Sequence, residues 1–359
     1  MVSTYTIAAG GLVIGILFGY AAARSNFCTM GAISDVLNMG SWKRMHMWLA
    51  GMGIAVLATG VLQLFGLIDT GKSYYAGSNL LWLSHIIGGF TFGIGMTLAG
   101  GCANKNLIRV GAGSLRSVLV FLTLALFASM TLTGILGVFR VTYLDAFSLH
   151  LSSNQQLPAM LVESTGISMR AAWGIGMFVF GLLPLVFALI YKPFRTAEAV
   201  SVAVILGLLI AASWYVTGHI GYVAEDPRTL EEAFIGTNSR RPEGLSYVAP
   251  YAAAVSLLVT WSDSSSFVSF GVASMWGVSI GALIYALMSK TFSLETFHNP
   301  VDTIRHIVGA ALMGFGGVTA LGCTVGQGMS GMSVLSIGSL ITMLSIVAGC
   351  VVMIKWDSR

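Results

Sequence analysis

The sequence predicts an all-α polytopic membrane protein. About nine transmembrane helices plus four short re-entrant or half-membrane helices form an inverted repeat. Three observations carry that prediction. Hydrophobic residues make up 56% of the 359-residue chain and charged residues 9%, with a mean hydropathy of +0.84. A soluble surface needs about a quarter of its residues charged, so this chain cannot cover itself against water. Nine apolar stretches are long enough, at about 20 residues each, to cross a bilayer. The run from His85 to Cys102 recurs in register from His306 to Cys323. The 44 glycines fit close-packed membrane helices better than disorder, because a disordered chain would be charged rather than apolar.

The first four spans are Tyr5–Ala23, Met45–Ile68, Asn79–Gly101 and Ser117–Phe139. The fifth, Ala171–Tyr191, follows a polar connection, and Ala199–Val216, Phe267–Ser289, His306–Gly322 and Leu335–Ile354 complete the set. Ser246–Trp261 is apolar but short and interrupted by Pro250. The first Lys or Arg is Arg24, beyond the first apolar run, so no cleavable signal peptide is expected.

Basic residues orient the spans. With the N-terminus outside, the inside positions hold Arg24, Lys43, Arg44, Lys105, Arg109, Arg116, Lys192, Arg195, Lys290, Arg305, Lys355 and Arg359. The outside loops then hold Lys72, Arg140, Arg170, Arg228, Arg240 and Arg241, with Asp145, Glu163, Glu225, Asp226, Glu231 and Glu232. That two-to-one bias favours N-out and C-in, which needs an odd number of spans. Ser246–Trp261 should therefore not cross.

The internal repeat gives the same answer. His85 and Cys102 are separated as His306 and Cys323 are, and Gly88, Gly93, Gly95 and Gly101 meet Gly309, Gly314, Gly316 and Gly322. More weakly, the run from Gly15 resembles the run from Gly207. The chain reads as one transporter-type domain over 1–359, with repeats at about 1–140 and 195–359 joined by a helix at about 169–192. One crossing between equal halves inverts the second, the plan of many transporters. Polar stretches after Cys102 and after Cys323 are too short to span, as is Asn26–Asp35, with Ser246–Trp261 as its counterpart. These four are expected to be half-membrane helices lining a central pathway, since irregular backbone at that depth needs a cavity or buried surroundings.

The four cysteines, at 28, 102, 323 and 350, form no CxxC pair and no Cys/His ligand spacing, which disfavours zinc and thioredoxin-type chemistry. No metal and no cofactor is expected. A net charge of +4 without a basic tract excludes nucleic acid as the expected partner. Cys350 reads as packing, a small hydrophobe late in the last span. Cys28, Cys102 and Cys323 instead sit at helix breaks, and Cys102 and Cys323 each follow a glycine, Gly101 and Gly322. Half-helix N-termini favour an anion, and glycine lets a ligand approach the backbone. A protonated thiol is a poor donor to hard oxygen but suits a diffuse sulfur acceptor. The chemistry points to a small anion with a soft, sulfur-bearing end.

Asn104, Asn106 and Gln327 would line the path or cap helices. His85 and His306 read as interfacial caps rather than a metal pair. Lys105, Arg109 and Arg305 read as inside anchors or as an electrostatic attraction at the inner mouth. Asp35 and Asp263 flank re-entrant candidates, and the 225–243 stretch reads as a solvated outer loop.

The segments Arg24–Ala32, Leu98–Asn104 and Ala320–Gly328, each carrying one of the three cysteines, resemble the YeeE/YedE family of bacterial membrane proteins over nearly the whole chain. The resemblance implies nine spans plus half-membrane helices in an hourglass-like shape in the bacterial inner membrane. It also implies uptake of thiosulfate through successive S–H···S contacts with Cys28, Cys102 and Cys323, and a separate TusA-like sulfur-carrier protein as partner. Some members of the family are associated with selenium or other sulfur species. The alternative from another class is a membrane thiol enzyme carrying a persulfide. A structural scaffold would leave the repeated Gly-Cys breaks unexplained.

Overall fold

The computed structural model describes residues 3–226, 230–263, 266–297 and 299–358. Arg228 and Arg359, which enter the charge distribution above, lie outside the described residues. The chain is an all-α polytopic membrane protein. Its first half contains α1 (Thr4–Ser25), the short α2 (Thr29–Met39), α3 (Lys43–Leu64), α4 (Trp82–Leu98), the short α5 (Ala103–Gly111) and α6 (Leu115–Leu132). A peripheral stretch follows, with α7 (Ile135–Phe139) and α8 (Leu157–Thr165). A single long segment then joins α9 (Met169–Gly176) to α10 (Leu183–Ile190) through a π-helical turn, Met177–Leu182. The second half contains α11 (Ala197–Tyr215), the short α12 (Ala249–Val259), α13 (Phe270–Met288) and α14 (Pro300–Thr319). It ends with a short helix built around the π-helical turn Gly326–Gly331, and with α15 (Ile337–Asp357).

Among the described residues, eight helical segments are long and apolar enough to cross a membrane. α14 falls outside that group because Asp302, Arg305 and His306 occupy its first two turns. Those polar groups are paired: Asp302 with Arg116 at 3.4 Å, Arg305 with Asp357 at 2.6 Å, and His306 with Asp302 at 3.2 Å. Beyond them the helix is apolar and packs against both α4 and α6. It begins at Pro300, well before His306, because Asn299 caps it by accepting from the Asp302 N–H at 2.7 Å. Asn before Pro is a helix-start signal.

The fourth span ends early. Where the sequence suggests helix as far as Phe139, α6 stops at Leu132 and the chain extends through Gly134 (φ −103°, ψ −159°). Ser129, Thr131 and Thr133 each bond back to the carbonyl four residues earlier, at 2.9, 2.7 and 3.3 Å. Such back-bonding bends and weakens a helix, and glycine ends it.

Packing follows a reciprocal scheme. Under the half-to-half correspondence suggested by the sequence, α1 on α13 is matched by α3 on α11, and α4 on α15 by α6 on α14. Likewise α6 on α12 is matched by α2 on α15, and α5 on α13 by α3 on the Gly326–Gly331 turn. α4 and α14 pair with each other at the centre. There a methyl group added at Gly88 would lie 2.8 Å from the Gly316 carbonyl oxygen, and one at Gly316 would lie 2.5 Å from that of Gly88. Gly95 and Gly309 repeat the arrangement, at 2.6 and 2.7 Å. Since Gly88 meets Gly316 and Gly95 meets Gly309, the two helices run antiparallel. Backbones approach this closely only where side chains are absent, the usual basis of tight packing in lipid.

Candidate functional site

Each of Cys28, Cys102 and Cys323 stands at the end of the same backbone device. A long helix ends, one residue turns left-handed, one further residue follows, and the cysteine begins a short helix. The left-handed residues are Asn26 (φ 52°), Gly100 (φ 65°) and Leu321 (φ 59°), each two positions before its cysteine. The next residue donates back to the helix: Phe27 to Ala22 at 3.0 Å, Gly101 to Met96 at 2.8 Å, Gly322 to Gly317 at 2.8 Å. This is the Schellman closure, which satisfies carbonyls that a helix end leaves open.

The cysteine then occupies the N-cap position. The Cys28 sulfur accepts from the Gly31 N–H at 3.5 Å, and the Cys323 sulfur from the Gly326 N–H at 3.4 Å. The Cys102 sulfur faces the Lys105 N–H in the same register without closing a cap bond. Sulfur does here what a hydroxyl or carboxylate oxygen ordinarily does at an N-cap. A capping sulfur is used as an acceptor, so its S–H remains a donor toward a ligand.

The three modules converge. All three thiols are buried. The Cys28 and Cys102 thiols interact directly, and the Cys102 thiol also meets the side chain of Thr324, the residue after Cys323. The Tyr247 backbone N–H faces the Cys323 sulfur, and the Tyr251 hydroxyl donates to the Ala103 carbonyl at 2.9 Å. Cys102 thus lies between Cys28 and the turn that carries Cys323.

Two matching side-chain clamps hold the Gly-Cys turns. Asn106 donates to the carbonyls of Gly101 (3.0 Å) and Cys102 (3.2 Å), and its amide oxygen accepts from Ser117 at 3.0 Å. Gln327 donates to the Ala320 carbonyl at 2.5 Å and accepts from Ser339 at 2.5 Å. Both amides lie four residues after their cysteine, and both serines lie near the start of the next long helix. Gln327 is engaged at both ends. Asn104 is buried with its amide oxygen lacking a hydrogen-bond partner among the described residues. Removing the Ser339 hydroxyl leaves the Gln327 oxygen buried and unpaired, a cost of about 1–3 kcal/mol. Ser339→Ala should therefore lower the unfolding temperature in detergent, and adding Gln327→Met should recover part of the loss.

A cavity of about 840 Å³ leads to one end of the thiol line. Its walls include Tyr74, Arg140, Glu243 and Ser246, and it reaches Leu321 and Gly322, beside Cys323. Arg140 pairs with Asp145 at 3.2 Å. Glu243 accepts from the Ser239 N–H (3.1 Å) and hydroxyl (2.6 Å). Burial nonetheless raises its carboxyl above the ordinary carboxylate range. At the other end, Lys105 donates to the Asn26 amide oxygen at 3.0 Å, and Arg44 holds Asp35 through two bonds of 2.5 and 2.7 Å. Arg109 packs against the Gly100–Gly101 turn.

His85 departs from the expected interfacial cap. It is buried, with Nδ1 2.6 Å from the Thr342 hydroxyl of α15. His306 bonds the Asp302 carbonyl of its own first turn at 2.8 Å. Cys350 lies buried between α4 and α15, accepting from Thr97 at 3.3 Å. Sequence reasoning missed Asn26, Leu321, Thr324, Tyr247 and the two clamping serines. The shared turn had a partial signal in Asn26 and Gly100, both residue types that tolerate a left-handed backbone, but Leu321 concealed it.

The family profile described as sulphur transport matches residues 24–352. The chain is 28% identical over 335 residues to the thiosulfate transporter TsuA of Escherichia coli (strain K12), covering 90% of this chain and 87% of that protein. It is 28% identical over 346 residues to the thiosulfate transporter TsuA of Spirochaeta thermophila, covering 94% and 96%. A shorter likeness, 34% over 103 residues, joins 28% of the chain to 24% of the probable transporter YedE of Salmonella typhimurium.

Proposed function

The chain belongs to the YeeE/YedE sulphur-transport family, and from that membership we infer that it takes up thiosulfate across the bacterial inner membrane, handed along Cys323, Cys102 and Cys28. The observation that carries this reading is the contiguity of the thiols: Cys28 touches Cys102, and Cys102 touches the residue beside Cys323. Protonated thiols donate weakly, and a permeation site must bind loosely enough to release. The N-termini of the short helices add positive dipole ends in a region almost free of charge. Sulfate, all-oxygen and strongly hydrated, would lose more on desolvation than S–H donors return.

Gly101 and Gly322 let the Lys105 and Gln327 side chains close onto the backbone beside two of the thiols, Asn104 is buried next to the Cys102 turn, and Gln327 holds the Cys323 turn. The charge bias supports an outside N-terminus and a cytoplasmic C-terminus. In that orientation the cavity near Cys323 is the entrance and the Lys105–Asn26 contact the exit. Two inverted halves, about 1–140 and 195–359, joined by the segment at about 169–192, belong to the same reading. The reciprocal helix pairs and the paired glycine contacts support it. A separate TusA-like sulfur carrier is the soluble partner that the family resemblance suggests.

Proteoliposome uptake of labelled thiosulfate tests the substrate. Unlabelled thiosulfate should compete fully, and sulfate at the same concentration should leave uptake nearly unchanged. Equal competition by sulfate would reject a soft-sulfur pathway, and stronger competition by selenite would move the assignment to selenium. A one-sulfur mass increase on Cys102 or Cys323 after exposure to thiosulfate would instead favour covalent transfer.

A further inference from the structure

A thiol line accounts for the soft end of thiosulfate but not for its three oxygens. Anything carrying an oxyanion through a buried constriction needs hard donors placed beside the soft ones. Two hydroxyls meet that requirement. Thr324 and Tyr247 are both fully buried, and neither hydroxyl has a hydrogen-bond partner among the described residues. Thr324 abuts the Cys102 thiol. Tyr247 comes from the segment leading into α12, its backbone faces the Cys323 sulfur, and the Tyr251 phenol lies among Tyr247, Cys102 and Cys323. Several neighbouring hydroxyls are satisfied by protein: Tyr251 by Ala103, Tyr74 by Tyr75, Ser330 by Leu245. A buried hydroxyl without a partner costs free energy, so its retention beside a transport thiol suggests that a ligand supplies the missing partner.

We propose that the Thr324 and Tyr247 hydroxyls form an oxygen-recognising pair that binds the sulfonate end of the transported anion while the Cys102 and Cys323 thiols hold its terminal sulfur. The proposal rests on the thiosulfate reading above. It makes the constriction a two-ended receptor: a sulfur species without oxygens loses the hydroxyl contacts, and one without a soft sulfur loses the thiol contacts. Hydroxyl donors suit compact oxygen charge, whereas S–H is a weak donor to it.

The test is the concentration dependence of thiosulfate uptake in proteoliposomes for Thr324→Val, Thr324→Ser and Tyr247→Phe. Cys102→Ala and Cys323→Ala are run in the same series. Thr324→Val and Tyr247→Phe should each raise KM about tenfold, because each removes one hydroxyl with little change of shape. Thr324→Ser should restore a KM close to that of the unmodified protein. The rate at which a small alkylating reagent labels Cys323 should be unchanged in all three hydroxyl variants. A purely structural role would change that labelling and would not be rescued by serine. Unmodified KM values in both Thr324→Val and Tyr247→Phe, with uptake lost in the cysteine variants, would overturn this proposal alone. Full uptake in both cysteine variants would overturn the thiol pathway and the proposal with it.

Discussion

Cys102→Ala should reduce thiosulfate uptake at least tenfold while leaving the protein's stability nearly unchanged. Cys102 is the middle of the line, meeting Cys28 on one side and Thr324 on the other. A hydrogen bond to a charged group contributes about 1.5–3 kcal/mol, equivalent to roughly a 10- to 150-fold change. An S–H donor lies toward the lower end of that range. The stability half of the prediction follows from the cap geometry. Cys102 closes no side-chain cap bond, whereas Cys28 and Cys323 accept at 3.5 and 3.4 Å. Loss of a cap costs about 0.5–2 kcal/mol, so Cys28→Ala and Cys323→Ala should lower the unfolding midpoint where Cys102→Ala does not. Labelled uptake normalised to inserted protein, with thermal unfolding of the same samples, measures both. Uptake by Cys102→Ala within twofold of the unmodified protein would reject a relay through this thiol.

The largest structural effect is expected at the antiparallel crossing of α4 and α14. A side chain at Gly316 would meet the Gly88 carbonyl at 2.5 Å and the Phe92 nitrogen at 2.6 Å. Both are main-chain atoms, so no rotamer change relieves the clash and the helices themselves must part. Overpacking costs about 1–3 kcal/mol and more where neighbours cannot yield. Gly316→Val should therefore cost at least about 3 kcal/mol and sharply lower the yield of monodisperse protein. It should also abolish uptake, because α4 and α14 run directly into the turns that present Cys102 and Cys323. Gly174→Ala is the control. A methyl there meets nothing within 4 Å, and alanine in an open helical position stabilises by about 0.4–1 kcal/mol. If the two variants unfold at the same temperature, close packing at the crossing is not what holds the bundle together.

Most of this architecture was legible in the sequence, since composition forces the chain into lipid and a crossing segment needs a recognisable apolar length. α2, α5 and α12 appear where polar or interrupted segments were too short to span. Boundaries were harder. The Ser129, Thr131 and Thr133 back-bonds that end α6 are side-chain events inside an apolar run. The charged first turns of α14 hid not the helix, expected from His306, but its start at Asn299-Pro300. Of the site, the cysteines and their glycines could be found because they repeat in register. The clamps could not. Asn106 and Gln327 are different residues, and Ser117 and Ser339 come into reach only when the next long helix packs. His85 was misread because its partner, Thr342, lies at the far end of the chain.

The Schellman turns bear on how the protein meets its bilayer. A helix that stops because its own carbonyls are closed by backbone N–H groups does not stop where the hydrocarbon ends. α4 and α14 are fixed in length by those turns and in depth by their mutual glycine contacts. A thicker or thinner membrane must then be accommodated elsewhere, by tilt or by local deformation of lipid. The segment Met169–Ile190, with 22% of its apolar window buried inside the protein, is the part freest to adjust. The separation of the thiols is set by protein, and the mismatch falls on the periphery.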